Sequence, residues 1–259
     1  MAGDRMGDLR EDAARFYDLN PHVPRDMKFY RGLIPSPDAR VLELGCGTGR
    51  ILVPLAAHCG YIRGIDISDS MIAVCRRKLT DHGIPPARAA VEIGDITAFQ
   101  LDRAFNLIIA PFRVFQVLVD DAQVEGFFRC VRAHLAPRAT CVLNVFNPLF
   151  GREEMAAKWP RDEETLVWEV PVEGGCVTCH DVRRRLDSLR QVIYPELVYR
   201  RYGARGLEEE VVLPLAMRYY YPEQFEALVA GHGFRIVRRW GGYAGEAYGE
   251  GPELVLQFG

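Results

Sequence analysis

Apolar positions along the chain fall into two regimes. In the first, short, mostly apolar runs at 41–44, 61–66, 89–93, 105–110 and 140–146 read as buried strands. Between them lie segments of helical period. Residues 51–57 read as the buried start of a helix, and Ser68 caps another that runs to about Leu79. Residues 120–135 carry Phe127, Phe128, Val131 and Leu135 on one side of a third. Strands alternating with helices in this way predict βαβ units and a parallel sheet covered on both faces. Ahead of them, residues 8–19 predict an amphipathic helix stopped by Asn20-Pro21, and 24–33 a second short segment carrying Phe29 and Tyr30.

From about 149 to 220 the rhythm changes. Residues 165–170, 176–183, 189–199 and 209–220 alternate like strands, with turn residues and no helix between them. This predicts an antiparallel insert packed on or over the α/β core, at the carboxyl ends of the core strands where open α/β sheets bind ligands. Residues 221–230 return to a helix with Pro222 near its start and Gly231 and Gly233 at its exit. Residues 234–240 and 252–258 follow as two strands with no helix between them, which predicts an antiparallel hairpin at one end of the sheet. The expected division is a core of 1–148 with 219–259, and an insert of 149–218 serving as substrate lid or dimer interface.

Composition narrows the possibilities. Thirty-two basic against 35 acidic residues give a net charge of −3, and the arginine pairs are scattered. A polynucleotide-binding protein would show a dense basic face, so nucleic acid is not the expected partner. No apolar stretch approaches ~18–20 residues and no cationic leader precedes an apolar run, so neither membrane insertion nor secretion is expected. Seven cysteines at irregular spacing read as small buried apolar groups in a reducing cytoplasm. Cys176-Val177-Thr178-Cys179-His180 has the form of a haem attachment site. Its surroundings alternate like a strand, where residues three apart face opposite ways, so no metal or haem is expected.

The chemistry concentrates at 41–50. The run 41–44 turns over Gly45, Gly47 and Gly49 into the next helix, which brings bare backbone N–H groups against a ligand. Glu43 lies inside the apolar run, where a carboxylate needs a partner. Two nucleoside cofactors compete for this turn. A dinucleotide fingerprint wants G-x-G-x-x-G or -A, and Arg50 stands where its last small residue belongs.

The alternative comes from resemblance. Glu43 to Gly49 resembles the first motif of class I S-adenosylmethionine-dependent methyltransferases. Asp66, in Gly64-Ile65-Asp66-Ile67-Ser68, looks like that family's ribose-binding acid, and Met71 matches a residue that packs on adenine. Gly94-Asp95-Ile96 is similar to its third motif, whose acid meets the adenine amino group. Residues 105–108 resemble its fourth strand with Asn106 in place of the usual aspartate, and Ala110 and Pro111 follow at the lip. The trailing hairpin matches its reversed last strand. The resemblance implies a seven-stranded Rossmann-like sheet, mostly parallel with an antiparallel last strand, plus the antiparallel β insert. It implies S-adenosylmethionine as cofactor and S-adenosylhomocysteine as product. Residues 218–225 look most like small-molecule members such as the amino-sugar N,N-dimethyltransferases.

Roles follow from chemistry as well. An ionised carboxylate suits a vicinal diol at Asp66 and an exocyclic amine at Asp95; the competing roles are a helix cap and a turn. Glu43 either orients the turn or balances the cofactor's ammonium and sulfonium. Arg50 either grips the cofactor carboxylate or makes a salt bridge. Tyr17 and Tyr30 either cover the ligand or pack on the core; Gly45, Cys46, Gly47 and Ile67 complete the expected contacts. No catalytic residue is assigned, since methyl transfer can proceed by alignment alone, with a base needed only where the acceptor must first lose a proton. The acceptor pocket is expected from Phe112, Arg113, Gln116, Asn147, Tyr219 and Tyr221, with Asn144 and His180 as further candidates. The lip lacks the Asn or Asp that begins the corresponding motif of nucleic-acid amino methyltransferases, which lowers the odds for base modification. The expected reaction is methyl transfer to N or O of a small molecule, with a homodimer through the insert a further possibility. An RNA methyltransferase, an NAD(P)-dependent oxidoreductase and a non-catalytic S-adenosylmethionine-binding protein remain the rival readings.

Overall fold

The computed structural model describes residues 14–22 and 26–259. In chain order its elements are α1 Met27–Gly32, β1 Arg40–Leu44, α2 Leu52–Leu55, β2 Tyr61–Asp66, α3 Asp69–Asp81, β3 Ala89–Ile93 and β4 Phe105–Ala110. Then come a 3-10 turn at Val114–Val117, α4 Asp121–His134, β5 Leu135–Phe146, α5 Arg152–Lys158, β6 Arg161–Val172 and β7 Gly175–Asp187. The chain ends with β8 Val192–Gly203, β9 Gly206–Pro214, β10 Met217–Arg218, α6 Pro222–Gly231, β11 Ile236–Trp240 and β12 Glu253–Phe258. They form two units, one of residues 26–149 and 219–259, the other of residues 14–22 and 150–218.

The first unit is built on a seven-stranded sheet in the order β11-β12-β5-β4-β1-β2-β3. Strands β1 to β5 pair in parallel, whereas β12 runs antiparallel between β5 and β11. The alternation of side chains across the sheet explains the mostly apolar runs. Leu42, Ile65 and Ile108 enter one core with Phe115, Phe127, Phe128 and Phe225. Val41, Ile62, Leu107 and Ile109 enter the other with Leu52, Ile72 and Leu79. Both faces are buried, so neither can show the polar alternation of a half-exposed strand. Local chemistry sets the helix starts: the Ser68 hydroxyl accepts from Met71 N at 3.3 Å at the head of α3, and Pro222 opens α6.

Two expectations change here. The helix anticipated over 51–57 is the single turn Leu52–Leu55, after which the chain turns back toward β2. There Gly60 passes so close to Asp38 that a Cβ would sit 2.6 Å from its carbonyl oxygen. The N-terminal segment, expected with the core, packs in the second unit: Phe16 stacks on Tyr199 at 5.5 Å between ring centroids. Residues 8–13 of the expected first helix, and Pro24 and Arg25 of the second segment, lie outside the described residues.

The second unit is an antiparallel sheet in which β7 lies between β6 and β8, and both β9 and β10 pair with β8. The strands run longer than their sequence signal. Register puts Trp168, Cys179, Tyr199 and Val211 in line across one face, where they form an apolar cluster with Phe16. On the other face Arg200 binds both Glu164, at 2.5 and 2.8 Å, and Glu210, at 2.6 Å. Cys179 belongs to the apolar cluster while Cys176 occupies a position of opposite parity on β7. The seven-residue helix α5 interrupts what the sequence pattern reads as strands alone; Met155 is its buried anchor. Among the described residues no helix is long and apolar enough to cross a membrane.

Candidate functional site

The turn after β1 is anchored at both ends and bare in the middle. Gly45, Gly47 and Gly49 adopt φ of 71°, 52° and 80°, in the left-handed region. The N–H groups of Gly45 and Cys46 both donate to Ile65 O, at 2.8 and 3.1 Å, stitching the turn to β2. A Cβ on Gly45 would lie 2.2 Å from Val114 Cγ2, and one on Gly49 2.5 Å from Cys75 Sγ. A Cβ on Gly47 would meet nothing within 4 Å. Backbone is therefore open to a ligand at Gly47.

Asp66, at the end of β2, borders that opening. Its Oδ2 accepts from Gly47 N at 2.8 Å and its Oδ1 from Ser68 N at 3.0 Å, leaving each oxygen a further lone pair. Gly94, beyond β3, donates its N–H to Asp66 O at 2.9 Å. Ile67 is 56% exposed beside this acid, while Met71 and Ile96 are buried. Asp95 is exposed and forms a turn, its Oδ1 accepting from Thr97 N at 2.8 Å and Thr97 Oγ1 at 2.7 Å. The adjacent strand ends of β2 and β3 thus bring Asp66, Ile67, Gly94 and Asp95 together.

Glu43 lies in β1 between Gly64 of β2 and Ile109 of β4. It is 2% exposed, and its Oε2 has no hydrogen-bond partner among the described residues. Burial pushes its pKa well above the usual carboxylate range; Arg50 opposes the shift, and Cys75, Asp26 and Asp66 add to it. Arg50 is held on two atoms by Asp26, Nη1 to Oδ1 at 2.6 Å and Nη2 to Oδ2 at 2.9 Å. Asp26 is completely buried. The Arg50 guanidinium also sits 5.3 Å from the centre of the Phe112 ring. Tyr30 is buried in an aromatic group with Phe29 and Tyr243, and burial raises its hydroxyl pKa. Tyr17 belongs to the other unit, where its charge acts on Tyr199.

The lip after β4 has an unusual backbone. Ala110 and Pro111 are buried; Phe112 and Arg113 then take φ of 57° and 64°, two adjacent left-handed residues with side chains. A polar clamp holds them. Arg113 N donates to Asn144 Oδ1 at 3.2 Å, Asn144 Nδ2 donates to Glu253 Oε2 at 2.9 Å, and Arg113 Nε donates to Glu253 Oε1 at 3.0 Å. Gln116 Oε1 accepts from Phe146 N at 2.9 Å, and Asn147 Nδ2 donates to the carbonyls of Gly249 and Gly251 at 2.9 and 2.8 Å. Arg113, Gln116 and Asn147, read from sequence as acceptor-lining, are thus tied into the fold. The ring of Phe112 remains 41% exposed. Tyr219 and Tyr221 are buried, with their rings edge to face at 6.0 Å. His180 lies on β7 opposite Val198, and its Nδ1 is buried without a partner among the described residues.

Sequence reasoning missed Asp26 and Glu253. Glu253 carried the same signal as Glu43, an acid within an apolar strand. Asp26 carried none, because its partner lies beyond a strand and a turn.

An open backbone at Gly47, an acid beside it and a buried carboxyl with a bare oxygen fit a nucleoside bearing a cationic tail. The comparisons with known proteins agree. Residues 41–138 match the methyltransferase domain family. Over those residues the chain is thus similar to a methyltransferase domain, and its strand order with the reversed β12 gives the fold in which that domain sits. It is similar to the dTDP-3-amino-3,6-dideoxy-alpha-D-glucopyranose N,N-dimethyltransferase of Streptomyces fradiae, with 30% identity over 53% of this chain and 54% of that protein. The chain spans about half the length of the curated relatives it matches. Among solved structures it resembles the CcbJ methyltransferase of Streptomyces caelestis, with a TM-score of 0.74, 23% identity and 95% of each chain covered. It also resembles the sugar N-methyltransferase KedS8 of Streptoalloteichus, with a TM-score of 0.71, 19% identity and 93% and 90% covered.

Proposed function

We propose that the protein transfers a methyl group from S-adenosylmethionine to a small-molecule acceptor, an amine of sugar-like size being the acceptor class that its relatives support. The observation that carries this reading is the match over 41–138 to the methyltransferase domain family, which falls on the same open backbone at Gly47 and the bare oxygen of Glu43. Bound there, the cofactor supplies an electrophilic methyl: a carbon–sulfur bond breaks, a bond from carbon to the acceptor atom forms, and the sulfonium becomes a thioether.

The residues assigned to the cofactor divide by chemistry. Asp66 takes the ribose hydroxyls, with Ile67 and Met71 beside the base. Gly94, Asp95 and Ile96 border the adenine. The backbone of Gly45, Cys46 and Gly47 meets the amino-acid tail, with Glu43 as its counter-charge and Arg50 nearby. Ala110 and Pro111 lie at the lip, in the same unit as Tyr30. The Phe112 ring is the exposed apolar surface next to the reacting atoms. It excludes water and aligns the acceptor, and alignment alone contributes about 7–11 kcal/mol in favourable systems. The insert acts as the acceptor lid or as a homodimer surface. The setting is cytoplasmic, in keeping with seven cysteines that form no disulfide.

Calorimetric titration with S-adenosylmethionine tests this directly, and a wild-type protein that does not bind it ends the reading. Incubation of binding-competent protein with labelled cofactor and a panel of amino sugars then reports the acceptor.

A further inference from the structure

Three ionisable side chains meet at the glycine turn, two acids and a single cation. Glu43 and Asp26 are both buried acids; Arg50 is the cation between them. The guanidinium acts on Glu43 through space, yet both of its terminal nitrogens are directed to Asp26. Glu43 is left with an oxygen that no donor among the described residues meets. A planar guanidinium gripped on two atoms is held in position as well as neutralised, and the Phe112 ring on which it rests restricts it further.

We propose that Asp26 is a positioning residue for the cofactor's amino-acid tail: by gripping Arg50 it keeps that cation off Glu43, whose carboxylate is left open to the ligand's ammonium group. This rests on the reading of the turn as an S-adenosylmethionine site. The ammonium is then the fourth member of the group, two cations for two acids, and a buried carboxylate gains the partner it lacks. Remove Asp26, and Arg50 has a buried acid close by with an oxygen to receive it. Asp66, the other carboxylate near Glu43, already accepts from Gly47 and Ser68. Arg50 would close onto Glu43 and exclude the ammonium. Asp26 would thus govern binding without touching the ligand.

The test is a double-mutant cycle read by calorimetry with two probes. S-adenosylhomocysteine carries the amino-acid tail and 5′-methylthioadenosine lacks it. Asp26→Asn is expected to weaken S-adenosylhomocysteine about tenfold or more, the scale of one charge-assisted interaction, and 5′-methylthioadenosine no more than about twofold. In Asp26→Asn combined with Arg50→Met, the competing cation is gone, and S-adenosylhomocysteine affinity should return to within about threefold of wild type. Asp26→Glu, which keeps the grip, should bind better than Asp26→Asn. Unchanged affinity in Asp26→Asn, equal weakening of both probes, or a double variant no better than the single one would each overturn the proposal. Failure of the wild-type protein to bind either probe would instead sink the cofactor reading itself.

Discussion

The Gly47 N–H donates to the Asp66 carboxylate across 2.8 Å, so the acid at the end of β2 also holds the open part of the glycine turn. Ligand contact and turn geometry therefore depend on one side chain. Asp66→Ala is expected to lower S-adenosylhomocysteine affinity by about 10- to 100-fold, from the loss of charge-assisted hydrogen bonds worth about 1.5–3 kcal/mol. Calorimetry measures the affinity. Asp66→Asn keeps one acceptor oxygen and should fall between Asp66→Ala and wild type.

Two glycines of the same turn should separate stability from binding. At Gly45 a new Cβ overlaps Val114, so Gly45→Ala should lower the melting temperature strongly. At Gly47 the Cβ enters open space, and the folded chain bears only the left-handed strain of about 1–2 kcal/mol. On the proposed reading that same Cβ stands where the ligand approaches, so Gly47→Ala should bind S-adenosylhomocysteine far more weakly while losing only a few degrees of melting temperature, less than Gly45→Ala. Equal losses in both properties for both variants would contradict the assignment.

Glu43 gives the empty protein a pH dependence of definite sign. Burial, opposed by Arg50, raises its folded-state pKa above the ordinary carboxylate value. Between the unfolded and folded values the folded chain holds the extra proton, so this contribution to stability is present at low pH and lost as pH rises through the folded pKa. The melting temperature of Glu43→Gln should therefore gain on wild type as pH rises from about 5 to about 8. Binding should show the converse. An ammonium favours the ionised form, so wild-type affinity for S-adenosylhomocysteine should rise with pH up to the folded-state pKa of Glu43, with proton release, and the Glu43→Gln profile should be flat. The charged and titratable groups acting on Glu43 are Arg50, Cys75, Asp26 and Asp66, and Glu43 in turn adds to the raised pKa values of Cys46 and Tyr30.

The clamp behind the lip makes a further prediction. Asn144 is completely buried and joins Arg113 N to Glu253. Asn144→Ala leaves a backbone donor and a carboxylate oxygen short of partners, at about 1–3 kcal/mol. With about 2–4 °C per kcal/mol for a chain of this size, a melting-temperature drop of several degrees is expected. If acceptor alignment depends on the left-handed pair at Phe112 and Arg113, transfer rate should fall while S-adenosylhomocysteine affinity holds.

Strands β1, β4 and β5 were legible because their central residues are buried on both faces, and β2 and β3 because residues of distinct type, Asp66 and Gly94, mark their ends. The reversed β12 was legible because no helix separates 234–240 from 252–258. What escaped was fixed at long range. Arg113 read as a pocket residue because its partner Glu253 lies 140 positions away. The N-terminal segment read as part of the core because Phe16 shows its partner, Tyr199, only once the insert sheet has formed. Asp95 read as an adenine ligand, and its turn with Thr97 at 2.8 Å is the competing local role that the sequence also offered.

The brevity of α2 matters for what the turn attracts. Four residues, Leu52–Leu55, give a single turn of aligned peptide dipoles, far short of the long helix whose N-terminus draws a diphosphate. Around it stand Glu43 and Asp66, with Arg50 neutralised by Asp26. On the proposed reading, selection between two nucleosides of similar shape becomes a matter of sign: acids border this turn, which suits a cationic tail better than a pyrophosphate.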